Sequence, residues 1–248
     1  MSPPELLADS RVLWRMLRGL PRSGSAAERL QAFYGPQASR YDDFRRRLLH
    51  GREELIRRLP AGPGDRVVEL GCGTGENLKR FGGRLAALRQ LVLVDLCPAL
   101  LEHARRRAAT LANVEIAEAD ITRYQPPAPV DCVYLSYALT MVENWRAVIA
   151  NAVAMLRPGG TLGVVDFYVS SARPPPGRSR HPAWERWLWR RWFAHDGVRL
   201  DPAHLAQLET ALSPCEVFER RGSVPYLPGL TVPHYLFIGR KSRDQAFP

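Results

Sequence analysis

The 248-residue sequence predicts an α/β protein built on a doubly wound, mostly parallel sheet. Three observations predict it. Short apolar runs alternate with helical stretches from residue 66 to residue 167, the pattern of strands joined by crossover helices. The first run feeds a glycine-rich turn, Gly71-Cys-Gly-Thr-Gly75, of the kind that opens a ligand crevice at strand tips. Two alternating segments near the end, Glu216 to Arg221 and His234 to Arg240, read as an antiparallel pair that brings the sheet to seven strands.

Before the sheet, Leu6, Leu13, Trp14, Leu17 and Leu20 recur at spacings of three and four with arginines between them, which predicts an amphipathic helix over 5–20. A second helical zone covers 26–59, broken at Gly35-Pro36 and at Gly51. Pro60-Ala-Gly-Pro-Gly64 then marks the start of the core. Strands are expected at 66–70, 91–94, 114–117, 130–136 and 161–167, with helices from Glu76, over 98–111 and over 144–156. A polar, proline-rich loop at 170–180 leads to helices at 183–194 and 202–212. The predicted organisation is an N-terminal helical lid at 1–60, a core at 61–170, an inserted helical lid at 171–213 and C-terminal strands at 214–248.

Hydrophobic residues at 46% and charged residues at 24% supply a sizeable core and exclude a disordered or collagen-like chain. The formal charge is +10, and 33 of the 35 basic residues are arginine. Either an arginine-biased genome or an anionic partner (nucleic acid, an acidic small molecule, a membrane surface) explains that excess. It is uneven, with a net +5 over 1–60 and +4 over 171–196. Cys72, Cys97, Cys132 and Cys215 are widely spaced, which argues against a disulfide framework or a bound metal. No apolar run approaches the ~20 residues of a membrane span, and the first 20 residues hold no signal-peptide core. The expected setting is cytoplasmic, soluble or attached to the inner face of a membrane.

Gly71, Gly73 and Gly75 let the backbone turn sharply beneath a ligand, and the following helix start presents free N–H groups. Glu76 stands where a dinucleotide fingerprint carries its third glycine, and Glu69 sets a carboxylate where a pyrophosphate would dock, so NAD is disfavoured. Asp95 ends the second strand, placed to accept both hydroxyls of a ribose beside Leu96. Asp120, next to Ile121, follows the third strand and can accept an adenine amino group against an apolar wall. Ser136 and Tyr137 end the fourth.

These residues at these spacings, with Leu156-Arg-Pro-Gly-Gly160 before the fifth strand, make 65–167 resemble the class I S-adenosylmethionine-dependent methyltransferases, whose fold is a Rossmann-like seven-stranded sheet. The resemblance implies S-adenosyl-L-methionine as cofactor, held by Glu69, Gly71, Cys72, Gly73, Gly75, Asp95, Leu96, Asp120, Ile121 and Ser136. Phe33-Tyr-Gly-Pro-Gln-Ala-Ser-Arg-Tyr41-Asp42 is similar to the N-terminal lid of quinone- and lipid-modifying methyltransferases, which adds Tyr41 and Arg52 to the cofactor set. A tyrosine ring there can face the sulfonium. The same phrase, Trp192-Phe-Ala-His195-Asp196 and Val232-Pro-His-Tyr-Leu-Phe-Ile-Gly-Arg resemble the bacterial betaine-lipid N-methyltransferases. That resemblance implies three methylations of the headgroup amine of diacylglyceryl homoserine, a lipid substrate at a membrane surface and an enzyme partner that makes that lipid.

The amphipathic segments fit a lipid substrate. Over 183–194, Trp184, Leu188, Trp189, Trp192 and Phe193 share one half of a helical wheel and Arg186, Arg190 and Arg191 the other, the composition of an interfacial helix or of a lid packed on its own core. An amine of pKa about 7.7–8.0 has a usable neutral fraction without a strong base, and alignment does most of the work. Candidate amine orienters or proton acceptors are Tyr34, His50, Tyr137, His195 and His234, of which His195 and Tyr137 are preferred. Arg52 and Arg199 are candidates to hold the homoserine carboxylate. The alternatives are a methyltransferase of a quinone or soluble small molecule, an RNA methyltransferase, and a non-catalytic scaffold.

Overall fold

The computed structural model describes residues 47–194, 197–225, 227 and 229–242. Seven strands form one sheet in the order β3-β2-β1-β4-β5-β7-β6. β1 (Arg66–Leu70) lies in the middle, parallel to β2 (Gln90–Asp95) on one side and to β4 (Val130–Ser136) on the other. β3 (Val114–Glu118) continues the parallel set beyond β2, and β5 (Leu156–Phe167) beyond β4. β6 (Cys215–Ser223) and β7 (Thr231–Arg240) are antiparallel, and β7 inserts between β5 and β6. The near-continuous apolar runs of β1, β2 and β4 follow from this placement, since strands covered on both faces have no wet side to alternate toward.

Helices cover both faces. On one face α1 (Arg52–Arg58), a 3₁₀ segment (Glu76–Phe81), α2 (Arg84–Ala87), α3 (Pro98–Ala108) and α5 (Ala183–Ala194) surround a core that includes Val67, Leu93, Tyr134, Val165 and Leu236. On the other, α4 (Trp145–Met155) and α6 (Ala203–Ala211) pack on Val68, Val92, Val133, Val164 and Phe237. Among the described residues no helix is long and apolar enough to cross a membrane, and no group of three His, Cys, Asp or Glu could hold a metal ion.

Three elements differ from expectation. The helix expected from Glu76 is a six-residue 3₁₀ segment, entered at Gly75 (φ 71°) and left at Gly82 (φ 52°), two positive-φ glycines that bound it to a short piece. β5 begins at Leu156, five residues early, with the ladder slipping between Val130 and Cys132 as Pro158-Gly-Gly160 passes. In α5 the aromatic half-wheel is split: Glu185, Trp189 and Phe193 turn inward, whereas Trp184, Trp187, Arg190, Arg191 and Trp192 face out. The inward row is one i, i+4, i+8 ridge, and Glu185 belongs to it because Arg221 of β6 reaches its carboxylate. The predicted helices at 5–20 and 26–46 lie outside the described residues.

α5 is fixed at both ends. In the loop before it, Ser170 N–H donates to His181 Nδ1 at 3.0 Å and His181 N–H returns a bond to Ser170 Oγ at 2.9 Å. Ser179 N–H donates to the Glu219 carboxylate of β6. At the other end Phe193 packs on Phe167, with ring centroids 4.6 Å apart, and Phe167 packs on Tyr137 at 4.5 Å. The helix therefore sits over the C-terminal tips of β4 and β5.

Candidate active site

The strand order reverses at β1, whose neighbours on its two sides lead the chain in opposite directions, and ligands bind outside the strand tips at such a point. There Gly71, Gly73 and Gly75 all have positive φ (75°, 56° and 71°). A Cβ on Gly71 would come within 2.5 Å of the Ala138 Cβ, so the loop passes the tip of β4 where no side chain fits. Asp95, buried at the tip of β2, pins this loop: Oδ2 accepts from Gly73 N–H at 2.8 Å, and Oδ1 from Cys97 N–H at 2.9 Å. Leu96 is half-buried beside it. Ser136 Oγ, at the tip of β4, is buried without a hydrogen-bond partner, a polar atom aimed where a ligand group would satisfy it.

Asp120 is exposed at the tip of β3, and its Oδ1 accepts from both N–H and Oγ1 of Thr122 at 2.8 Å. This turn holds the carboxylate at the rim, with Ile121 buried below it. The tips of β2 and β3 thus carry two carboxylates, Asp95 and Asp120, with the buried Ile121 next to the second.

Glu69 sits within β1 with no exposed surface. Its carboxylate is buried beneath the loop, accepting from Asn77 Nδ2 and Tyr134 OH, both at 2.7 Å. Burial raises its pKa from 4.5 to about 7, against the opposing pull of those hydrogen bonds and of Arg52. Because the folded value lies above the unfolded one, the folded state binds this proton more tightly. The resulting stability is full below about pH 4.5 and is lost as pH rises through 7. Glu69→Gln keeps an oxygen to accept from Asn77, presents an N–H to the Tyr134 hydroxyl, and removes the titrating proton. It is expected to flatten the fall in melting temperature between about pH 5 and about pH 8. An unchanged slope would refute the assignment.

Tyr137 is corrected as a proton acceptor. Its φ of 56° is left-handed, its ring is buried and its hydroxyl donates to the His50 carbonyl at 2.7 Å. Burial first, then Asp166, pushes its pKa well above 10, so it keeps its proton. Its geometry is that of a latch between the tip of β4 and the segment entering α1. His50 in turn bonds Ser223 O through Nε2 at 2.9 Å and stacks on His234 at 5.9 Å. His234 is buried, its pKa lowered to about 4 by burial and then by His50, so it stays neutral and is a poor proton acceptor. Arg52 is buried at the start of α1, with Nε donating to Leu49 O at 3.2 Å, near enough to Glu69 to draw on its charge. Arg199 lies at the surface paired with Glu143 at 2.9 Å. Cys72 is buried in the glycine loop with its thiol pKa raised by burial. Tyr34, Tyr41 and His195 lie outside the described residues.

Asp166, Asn77 and Tyr134 went unnoticed in the sequence. Asp166 ends the fifth apolar run, so the rule that ligands meet strand tips could have found it. It accepts from Thr140 Oγ1 at 2.8 Å and Thr140 N–H at 3.1 Å, and burial lifts its pKa to about 7. Asn77 and Tyr134 carry no local signal, because their partner Glu69 is remote or across a strand.

A glycine loop pinned by an acidic strand tip at the switch point of a 3-2-1-4-5-7-6 sheet defines a nucleoside-cofactor-binding α/β protein. Residues 67–160 match a family described as a methyltransferase domain. The trans-aconitate 2-methyltransferase of Klebsiella pneumoniae (strain 342) is 30% identical over 196 residues, covering 71% of this chain and 74% of that protein. The ubiquinone/menaquinone biosynthesis C-methyltransferase UbiE of Pseudomonas savastanoi pv. phaseolicola is 28% identical over 159 residues, 60% of this chain and 62% of that enzyme, so under two thirds of its length. The chain belongs to the class I S-adenosylmethionine-dependent methyltransferases. Solved structures agree on the fold. N-methyltransferase NodS of Bradyrhizobium japonicum WM9, with S-adenosyl-L-homocysteine, gives a TM-score of 0.58 at 21% identity, covering 77% of this chain and 85% of that one. Phosphoethanolamine N-methyltransferase 2 of Haemonchus contortus, with S-adenosyl-L-methionine, gives 0.69 at 13% identity, covering 89% and 61%.

Proposed function

We propose that the chain transfers methyl groups to the headgroup amine of a lipid, with diacylglyceryl homoserine methylated three times to a betaine lipid as the lead reaction. S-adenosylmethionine supplies a methyl group made electrophilic by its sulfonium. Asp95, already bonded to Gly73 and Cys97, would hold the ribose, since a carboxylate oxygen accepts more than one hydrogen bond. Asp120, Ile121 and Leu96 would hold the adenine, and Ser136 Oγ a polar group of the cofactor or substrate. Tyr41 is the proposed lid over the sulfonium and Tyr34 an orienter of the amine.

One observation favours an acceptor that needs no base, such as an amine, over a quinol. Around the tips of β4 and β5 the described titratable groups are committed or proton-holding: Tyr137 to His50, Asp166 to Thr140, and His234 neutral. A nucleophile entering there must attack without first losing a proton to the protein, as a neutral amine or a carboxylate can and a quinol carbon or a neutral hydroxyl does poorly. His195, which follows α5 in sequence, is the proposed acceptor of the proton released on each round. The lipid part of the reading is supported by the outward face of α5. A second reading, a small carboxylate or quinone substrate, is favoured by the trans-aconitate and UbiE relatives.

The test gives the purified protein labelled cofactor with diacylglyceryl homoserine, trans-aconitate or a short-chain demethylated quinol. The expected product is lipid carrying up to three added methyl groups, with His195→Ala slowing the later rounds most. Label on trans-aconitate or quinol and none on the lipid amine overturns the proposal.

A further inference from the structure

We infer that the outward face of α5 docks the protein on an anionic lipid bilayer. Of the four large apolar side chains exposed among the described residues, three belong to this helix: Trp184 (64%), Trp187 (68%) and Trp192 (41%). Trp184, Trp187 and Arg191 follow one another at i, i+3 and i+7, a single stripe along a convex helix, with Arg190 and Trp192 to either side. The one acid of the helix, Glu185, points inward to Arg221. Arg173 and Arg180, in the loop that fixes the helix, are exposed too.

Charge complementarity and shape select the occupant. Indole rings favour the headgroup layer of a bilayer, where an apolar body and an N–H meet different surroundings, and arginines beside them are drawn to anionic headgroups. A single-stranded nucleic acid would stack its bases in a groove lined by aromatic rings, and this surface is a convex ridge. The inward face of the same helix ends on the Phe193–Phe167–Tyr137 stack at the strand tips. A bilayer held on the outward face is then about one helix diameter, roughly 10 Å, from the crevice. The docking surface rests on the lipid-substrate reading only for its purpose.

The experiment sediments the full-length protein with vesicles of phosphatidylcholine alone or containing phosphatidylglycerol. The wild type is expected to bind the anionic vesicles with a blue shift of tryptophan emission. The pair Trp184→Ala with Trp187→Ala, and separately Arg190→Glu with Arg191→Glu, should each lower partitioning by about tenfold or more. Both pairs are expected to keep the wild-type melting temperature and cofactor affinity, because these side chains are exposed. A wild type that ignores anionic vesicles, or variants that bind them as well as it does, overturns the inference. So does a wild-type dimer that the tryptophan pair dissociates, which would make a second copy the occupant, or binding to RNA that the arginine pair abolishes while vesicle binding persists. Protein that binds vesicles but transfers no methyl to lipid leaves the surface standing and overturns the substrate. Protein that methylates detergent-dispersed lipid without binding vesicles does the reverse.

Discussion

Asp95→Ala should lower the affinity for S-adenosylhomocysteine by about a hundredfold or more, close to 3 kcal/mol. The side chain stabilises the loop before any ligand arrives, through the Gly73 and Cys97 amides, and its loss leaves both donors at the tip of β2 without their carboxylate. Ligand hydroxyls would lose the same acceptor, so loop order and direct contact fail together. Titration calorimetry measures the loss, with the melting temperature of the cofactor-free protein as the control. Asp95→Asn separates the two effects: one amide oxygen can still accept from a backbone N–H, so it should fall between alanine and wild type. Affinity within about threefold of wild type in the alanine variant would exclude Asp95 from the site.

Gly71→Ala is expected to damage stability and cofactor binding together. A residue with a Cβ at φ 75° costs about 1–2 kcal/mol in the backbone alone, and the new methyl would meet the Ala138 methyl at 2.5 Å, adding about 1–3 kcal/mol of overpacking. Both act at the crevice, so a melting temperature lower by roughly 5–15 °C should come with weakened cofactor binding. Gly64→Ala is the comparison. It has the same backbone sign (φ 81°) and nothing within 4 Å of the added carbon, so it isolates the backbone contribution. If the two variants melt alike, the close approach to Ala138 is not what makes glycine necessary at position 71.

The sheet was legible in the sequence because strands buried on both faces write their position as near-continuous apolar runs: Leu91–Val94 is unbroken, and Val67–Leu70 and Val130–Leu135 are interrupted only by Glu69 and Asp131. The glycine loop and Asp95 were legible for a different reason: their chemistry needs particular residue types within a short stretch. What was not legible depends on partners far away in the chain. Glu69 turns beneath the loop because Asn77 and Tyr134 meet it there. Glu185 turns inward because Arg221 comes from β6. Trp187, lying among the arginines on the helical wheel, was left out of the aromatic face, and only the packing of Trp189 and Phe193 shows which side is wet. The left-handed turn at Tyr137 has no cue at all in sequence, since it places a bulky side chain where glycine or asparagine is usual.

The stretch matched by the family also divides the chain by position. The stretch matched to the methyltransferase domain, 67–160, runs from β1 to the opening residues of β5 and takes in Asp95, Asp120 and Ser136. β7, β6 and α5 all come later, and α5 reaches the strand tips through Phe193 on Phe167. Under the proposed function, the last third of the chain can be exchanged without altering the proposed cofactor residues Asp95, Asp120 and Ser136. Grafting 168–240 onto a relative with a different acceptor would be the corresponding exchange at the bench.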